Sequence, residues 1–119
     1  MTRGFIVTGT DTGVGKTVVA AAYAGALGGA YWKPIQCGLD HGGDSPRVRT
    51  LSGLPADRIL PEAYRFHMAA SPHRAAEAEG VEIRTAGLQL PETDVPLVVE
   101  GAGGLMVPLT RQSLLIDLF

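Results

Sequence analysis

The sequence is poor in cysteine, in aromatic residues and in charge. A single cysteine, Cys37, excludes an internal disulfide, fits a reducing compartment, and leaves no set of Cys and His at zinc-ligand spacing. Charged residues make up 18% of the chain and the formal net charge is -2. With no basic cluster, nucleic-acid phosphates have little to bind. Near the N-terminus the apolar run Phe5-Ile6-Val7 falls well short of the roughly 7 to 15 residues of a signal peptide's apolar region. These absences predict a cytoplasmic protein with neither a nucleic-acid nor a membrane partner. What remains is 45% hydrophobic residues in 119, which describes a folded globular chain of one domain at most.

Lysine is also scarce. Of the ten basic residues only Lys16 and Lys33 are lysine, and the rest are arginine. A chain that otherwise uses arginine has a chemical reason for lysine at those two places, since lysine offers a compact charge on a flexible stem that can follow a moving phosphate.

Lys16 closes the stretch TGTDTGVGKT, Thr8 to Thr17. It departs from the usual phosphate-loop pattern, because Thr10 stands where the first glycine is expected and that glycine is Gly9. The context nevertheless fits. Phe5 to Val7 reads as a buried strand, and Lys16 to Leu27 reads as an alanine-rich helix ended by Gly28-Gly29. A loop between a strand and a helix start can turn its amides onto phosphates, add the positive end of the helix dipole, and present a lysine followed by a hydroxyl for magnesium, here Thr17.

Downstream, Ala30 to Gln36 predicts a second short strand with Lys33 near its end and Pro34 limiting its length. Asp44-Ser45-Pro46 predicts a helix start, with the helix ending near Gly53. Ser71-Pro72 repeats that signal for a helix ending at Gly80. Pro96 to Glu100 predicts a buried strand followed by Gly101-Ala102-Gly103-Gly104. Ser113 with Leu114, Leu115, Leu118 and Phe119 starts a further helix. The alternation predicts an α/β fold with a mostly parallel sheet flanked by helices, and the loop from Gly9 to Thr17 makes it phosphate-loop NTPase-like. With only three or four strands, residues 1-119 read as the N-terminal portion of a single nucleotide-binding domain, truncated at its C-terminus.

Magnesium held between outer phosphates prefers oxygen ligands, commonly one or two carboxylates with water and phosphate. Glu100 would emerge at the carboxyl end of its strand, the edge where the phosphate loop also lies. Asp44 has two readings, a ligand of the same ion or a plain helix N-cap. Lys33, at a strand end, could stabilise charge as a phosphoryl group is transferred. His41, His67 and His73 read as solvated, packing or helix-terminal groups.

Taken in order, TGTDTGVGKT, WKPIQCG at 32 to 38, the acid of GGDS, ASPH at 70 to 73 and VEGAGG at 99 to 104 resemble the dethiobiotin synthetase family of phosphate-loop ATPases, over nearly the whole chain. The resemblance implies ATP- and Mg2+-dependent carboxylation and ureido ring closure of 7,8-diaminononanoate with CO2, by a homodimer. It implies that Lys16 and Lys33 are catalytic and that Gly13, Val14, Gly15, Lys16, Thr17 and Val18 cradle the nucleotide together with Asp44, Glu100, Gly101, Ala102 and Gly103. Thr17, Asp44 and Glu100 would hold magnesium, and Thr12 and Cys37 would touch the substrate. Two departures stand out. Cys37 occupies a position that is often serine or threonine, and Gly13 a position that can be acidic. Alternatives are an amidating synthase or the regulatory N-terminal domain of a larger enzyme from the same superfamily, a partition-type ATPase switch of a different class, and an inactive truncated domain. The missing early loop lysine counts against the switch.

Overall fold

The structure is a computed structural model that describes residues 4-9, 15-84, 86, 88-104 and 110. Thr12, Gly13, Val14 and the helix expected from Ser113 lie outside the described residues. The elements in chain order are β1 (Gly4–Gly9), α1 (Lys16–Leu27), β2 (Ala30–Trp32), β3 (Ile35–Gln36), α2 (Asp44–Ser52), β4 (Tyr64–Arg65), α3 (Pro72–Glu79) and β5 (Leu97–Gly104). Every strand pairing among the described residues is parallel: β5 lies between β1 and β2 in one sheet, and β3 pairs with β4 in another. The predicted α/β fold with a mostly parallel sheet is what forms.

The central strand β5 is the most buried. Leu97, Val98 and Val99 are sealed, because neighbours bond both of its edges and each face carries apolar cover. Alternation along a strand sends successive side chains to opposite faces. Val98 and Tyr31 therefore pack with Ala20, Ala21 and Ala24 of α1 and Val48 of α2. Leu97 and Val99 join Ala30 and Trp32 on the other face. The alanines of α1 let the helix lie close to the sheet. Gly28 closes that helix, its amide bonded to the carbonyls of Ala24 and Gly25.

Four expectations need correction. β1 forms, but it is not buried: Phe5 and Ile6 are 39% and 47% exposed, since among the described residues this strand has a bonded neighbour only in β5. Ala30 to Gln36 is two strands in two sheets rather than one. Pro34 has no N–H to give a ladder, and its carbonyl instead accepts the amides of Ala63 and Tyr64, so the chain leaves the first sheet at Lys33. The strand at Pro96 to Glu100 runs on through the glycines to Gly104. Asp44 is not the cap of α2. Gly43 is the N-cap and Asp44 the first helical residue, with its amide bonded to Gln36 Oε1 at 2.9 Å.

β4 at Tyr64–Arg65 carries no sequence signal beyond the β propensity of Tyr64. It exists because its partner β3 is already held there, with Tyr64 stacked on Phe66 at 6.2 Å.

Gly29 sits where the chain passes closest to the start of β5. A Cβ built on it would lie 2.4 Å from the Pro96 carbonyl oxygen, which accepts the Ala30 amide at 2.8 Å. Gly29→Ala is expected to cost about 1–3 kcal/mol through backbone displacement, read as a drop in thermal midpoint of about 5 °C per kcal/mol. Gly4→Ala, whose Cβ would meet nothing closer than 3.9 Å, is expected to melt like the unsubstituted chain. Equal midpoints for the two variants would contradict this packing.

Candidate functional site

At the carboxyl end of the first sheet four segments converge. β5 delivers Glu100, β2 delivers Tyr31 and the residue just beyond it, Lys33, α1 delivers Lys16 and Thr17 at its first two positions, and α2 delivers Asp44 at its own first position. Tyr31 and Lys33 share a face of the chain because they are two residues apart. Gly15, at the N-cap of α1, has φ 93°, a left-handed conformation that a glycine adopts without the strain a Cβ would bring. It turns the loop directly into the helix.

Glu100 is the centre of the arrangement. It is 1% exposed, and both carboxylate oxygens are bonded. Oε1 accepts the Tyr31 hydroxyl at 2.8 Å. Oε2 accepts the Thr17 hydroxyl at 3.0 Å and lies 3.4 Å from Lys33 Nζ. Lys33 in turn forms an ion pair with Asp44 Oδ2. Lys33 thus bridges two carboxylates that are 67 and 11 residues away in the chain. Burial, and next the charge and hydrogen bond of Glu100, push the Tyr31 phenol far above its ordinary range, so it stays protonated and can only donate to the carboxylate.

Two cavities meet at this cluster. One, of about 300 Å³, is lined by Gly15, Lys16, Thr17, Val18 and Glu100. The other, of about 590 Å³, is lined by Gln36, Cys37, Gly38, Ala102 and the 69–72 segment. Lys33, Asp44, Arg47 and Gly103 line both. A larger groove of about 750 Å³ runs along the outer side of α2 and includes none of these four residues. The charged cluster, rather than cavity size, marks the site.

Most sequence-predicted residues are brought together here. Lys16, 7% exposed, Thr17, Lys33, Asp44 and Glu100 surround the smaller cavity, with Gly15, Val18 and Gly103 on its wall. Cys37 and Ala102 face the larger one. Gly101 is buried within β5 and lines neither. His73 turns away and pairs with Glu77 one turn along α3 at 3.1 Å, and His67 pairs with Asp40 at the surface.

Three contributors escaped the sequence reading. Tyr31 looked like strand filling, although its two-residue spacing from Lys33 was a usable signal. Gln36 holds the start of α2 by accepting the Asp44 amide, and so does the work expected of an N-cap side chain. Arg47 stands three residues after Asp44, on the same side of α2. Among the described residues no group of three or more His, Cys, Asp or Glu gathers as a metal cluster. The oxygen donors at the seam are two carboxylates and the Thr17 hydroxyl.

Cys37 packs against the Ile35 and Phe66 cluster. Burial pushes its thiol up to about 11, opposed by the Lys33 charge and aided by Glu79. Only about one part in a thousand is then thiolate at pH 8. Alkylation by iodoacetamide is expected to accelerate tenfold per pH unit up to about 11; a midpoint at an ordinary thiol value near 8.5 would refute this burial. The unfolded chain loses this proton first, so the thiol's contribution to stability is full below about 9 and is lost as pH rises through about 11.

Tyr31→Phe keeps the ring and removes the donor, leaving Glu100 Oε1 buried without a partner. The expected cost is about 1–3 kcal/mol, measured by denaturant unfolding; an unchanged midpoint would mean that the bond contributes nothing.

The chain matches the AAA domain family over residues 3–119. It is 63% identical over 119 residues to "ATP-dependent dethiobiotin synthetase BioD" of Rhodopseudomonas palustris (strain TIE-1), covering 100% of this chain and 56% of that protein. The protein of the same name from Nitrobacter hamburgensis is 62% identical over 118 residues, covering 99% of this chain and 56% of the relative. That from Brucella anthropi is 55% identical over 119 residues, again 100% and 56%. The chain therefore spans little more than half the length of these curated relatives. A glycine-turned helix start carrying Lys16 and Thr17 beside a buried acid of the central strand, matched from residue 3 to residue 119, shows that the chain belongs to the AAA domain family.

Proposed function

We propose that the chain carries the phosphate-binding and ring-closing half of an ATP-dependent dethiobiotin synthetase, which acts on 7,8-diaminononanoate and CO2 in biotin biosynthesis. The observation that carries this reading is the convergence of Thr17, Lys33, Asp44 and Glu100 where two cavities join. One cavity suits the outer phosphates of a nucleotide and the other a small substrate. The names and identities of the relatives support the same reading. Their length supports taking residues 1–119 as one portion, in this proposal the N-terminal one, of a single nucleotide-binding domain.

In this proposal one substrate amine adds to CO2 to give a carbamate. A carbamate oxygen attacks the γ-phosphorus as the bond to the ADP oxygen breaks. The second amine then attacks the carbonyl carbon of the mixed anhydride, expelling phosphate and closing the ureido ring; each amine releases one proton and keeps one N–H. Lys16 follows the outer phosphates from the helix start. Lys33, held by two carboxylates, aims its positive charge at the seam where charge builds. Gly13, Val14, Gly15 and Val18 with Gly101 to Gly103 cradle the nucleotide, and Thr12 and Cys37 contact the diamine.

The donor set fits magnesium, which prefers hard oxygen ligands with one or two carboxylates. Thr17, Asp44 and Glu100 would hold it, and when bound it would supply positive charge to neutralise the phosphate oxygens. The resemblance extends the proposal to a cytoplasmic homodimer; no helix among the described residues is long and apolar enough to cross a membrane.

The test is release of ADP and phosphate by the intact protein given ATP, magnesium and bicarbonate, expected only when the diamine is also present. Release without the diamine would favour an ATPase switch and overturn the reading. Lys16→Ala is expected to abolish ATP binding in calorimetry, and retained affinity would mean that this helix start does not hold phosphate.

A further inference from the structure

We propose that Arg47 is an oxyanion-binding residue at the seam of the two cavities, gripping the anionic group that passes between nucleotide and small substrate. The proposal rests on the function above and adds a residue and a ligand chemistry to it.

The argument begins with charge. Lys33 is the buried cation of the seam, but its ammonium is shared between Asp44 and Glu100. Its charge is therefore largely taken up by those two acids, and the magnesium of the proposed function would sit with Thr17, Asp44 and Glu100 on the smaller cavity. Lys16 lies on the wall of the smaller cavity only. An anion in the larger cavity needs a cation there, and among the described residues Arg47 is the cation besides Lys33 that lines both cavities.

Its position and freedom fit that task. Arg47 follows Asp44 by three residues on α2, so the helix places it beside the seam. It is exposed, and no side-chain hydrogen bond or ion pair engages it among the described residues. The arginine fork, always charged, matches the paired oxygens of a carboxylate or phosphate. The shared ligand chemistry is an oxyanion, with two possible sources: the terminal phosphate of the nucleotide, or a carboxylate formed on the amine substrate.

The experiment compares the intact protein with Arg47→Gln and Arg47→Lys. Calorimetry measures affinity for a non-hydrolysable ATP analogue without amine, and steady-state kinetics measures kcat and KM for the diamine at saturating ATP. Arg47→Gln is expected to lose about tenfold in one of these quantities, the size of one charge-assisted contact. Arg47→Lys should fall between, because the charge stays and the fork is lost. A loss in analogue affinity assigns the oxyanion to the phosphate; a loss confined to the diamine's kcat/KM assigns it to the substrate carboxylate. If both quantities stay within twofold while thermal midpoints match, the proposal is overturned. Should the unsubstituted protein show no diamine-dependent ADP release, the proposed function fails instead. Arg47 is then judged by analogue affinity alone, where an unchanged value overturns its role.

Discussion

The buried carboxylate of Glu100 organises this molecule. A charge that deep is tolerable only when its oxygens are bonded and a counter-charge is near. Each bond it makes ties β5 to a different part of the chain: Thr17 brings in the start of α1, Tyr31 brings in β2, and Lys33 carries the link onward to Asp44 and α2. The cluster thus joins β5, α1, β2 and α2 where the two cavities meet. Removing one partner would cost far more than the pair contributes, because what remains is an uncompensated buried charge.

The geometry of the chain around Pro34 serves the same centre. Were Ala30 to Gln36 one continuous strand, the segment from Gln36 onward would continue along the first sheet and away from Asp44. Pro34 ends the ladder, its carbonyl is taken by the 63–64 amides, and Gln36 ends up against the start of α2. The turn leaves Lys33 at the junction of two sheets, where it can face acids from both sides. The larger cavity then opens under β3 and the 69–72 segment, beside the smaller one rather than behind it.

The exposed residues tell a complementary story. Phe5 and Ile6 on β1 and Val19, Tyr23 and Leu27 along α1 present apolar surface to solvent, while the face of α1 toward the sheet is sealed alanine. The chemistry is gathered on the well-packed side, near β5 and β2, where a rigid sheet can hold side chains to fixed positions. Strand β1 contributes comparatively little to the core.

Much of this was legible in the sequence by itself. The loop, Lys16 and Thr17 are neighbours whose meaning depends on a strand before and a helix after, and both are coded locally by apolar runs, alanines and capping glycines. Glu100 closing the apolar run Leu97-Val98-Val99 and Ser71-Pro72 at a helix start are local signals too, and the order of motifs carried the resemblance. Tertiary structure alone decided the rest. Tyr31 acquires its role from a carboxylate 69 residues away, and Asp44 turns out to be an ion-pair partner rather than a cap because Gln36, eight residues back, takes the capping bond. Arg47 matters only because two cavities share one edge. Local sequence sets backbone conformation through nearest-neighbour sterics and hydrogen bonding, whereas a buried charge finds its partners only after distant strands have closed around it.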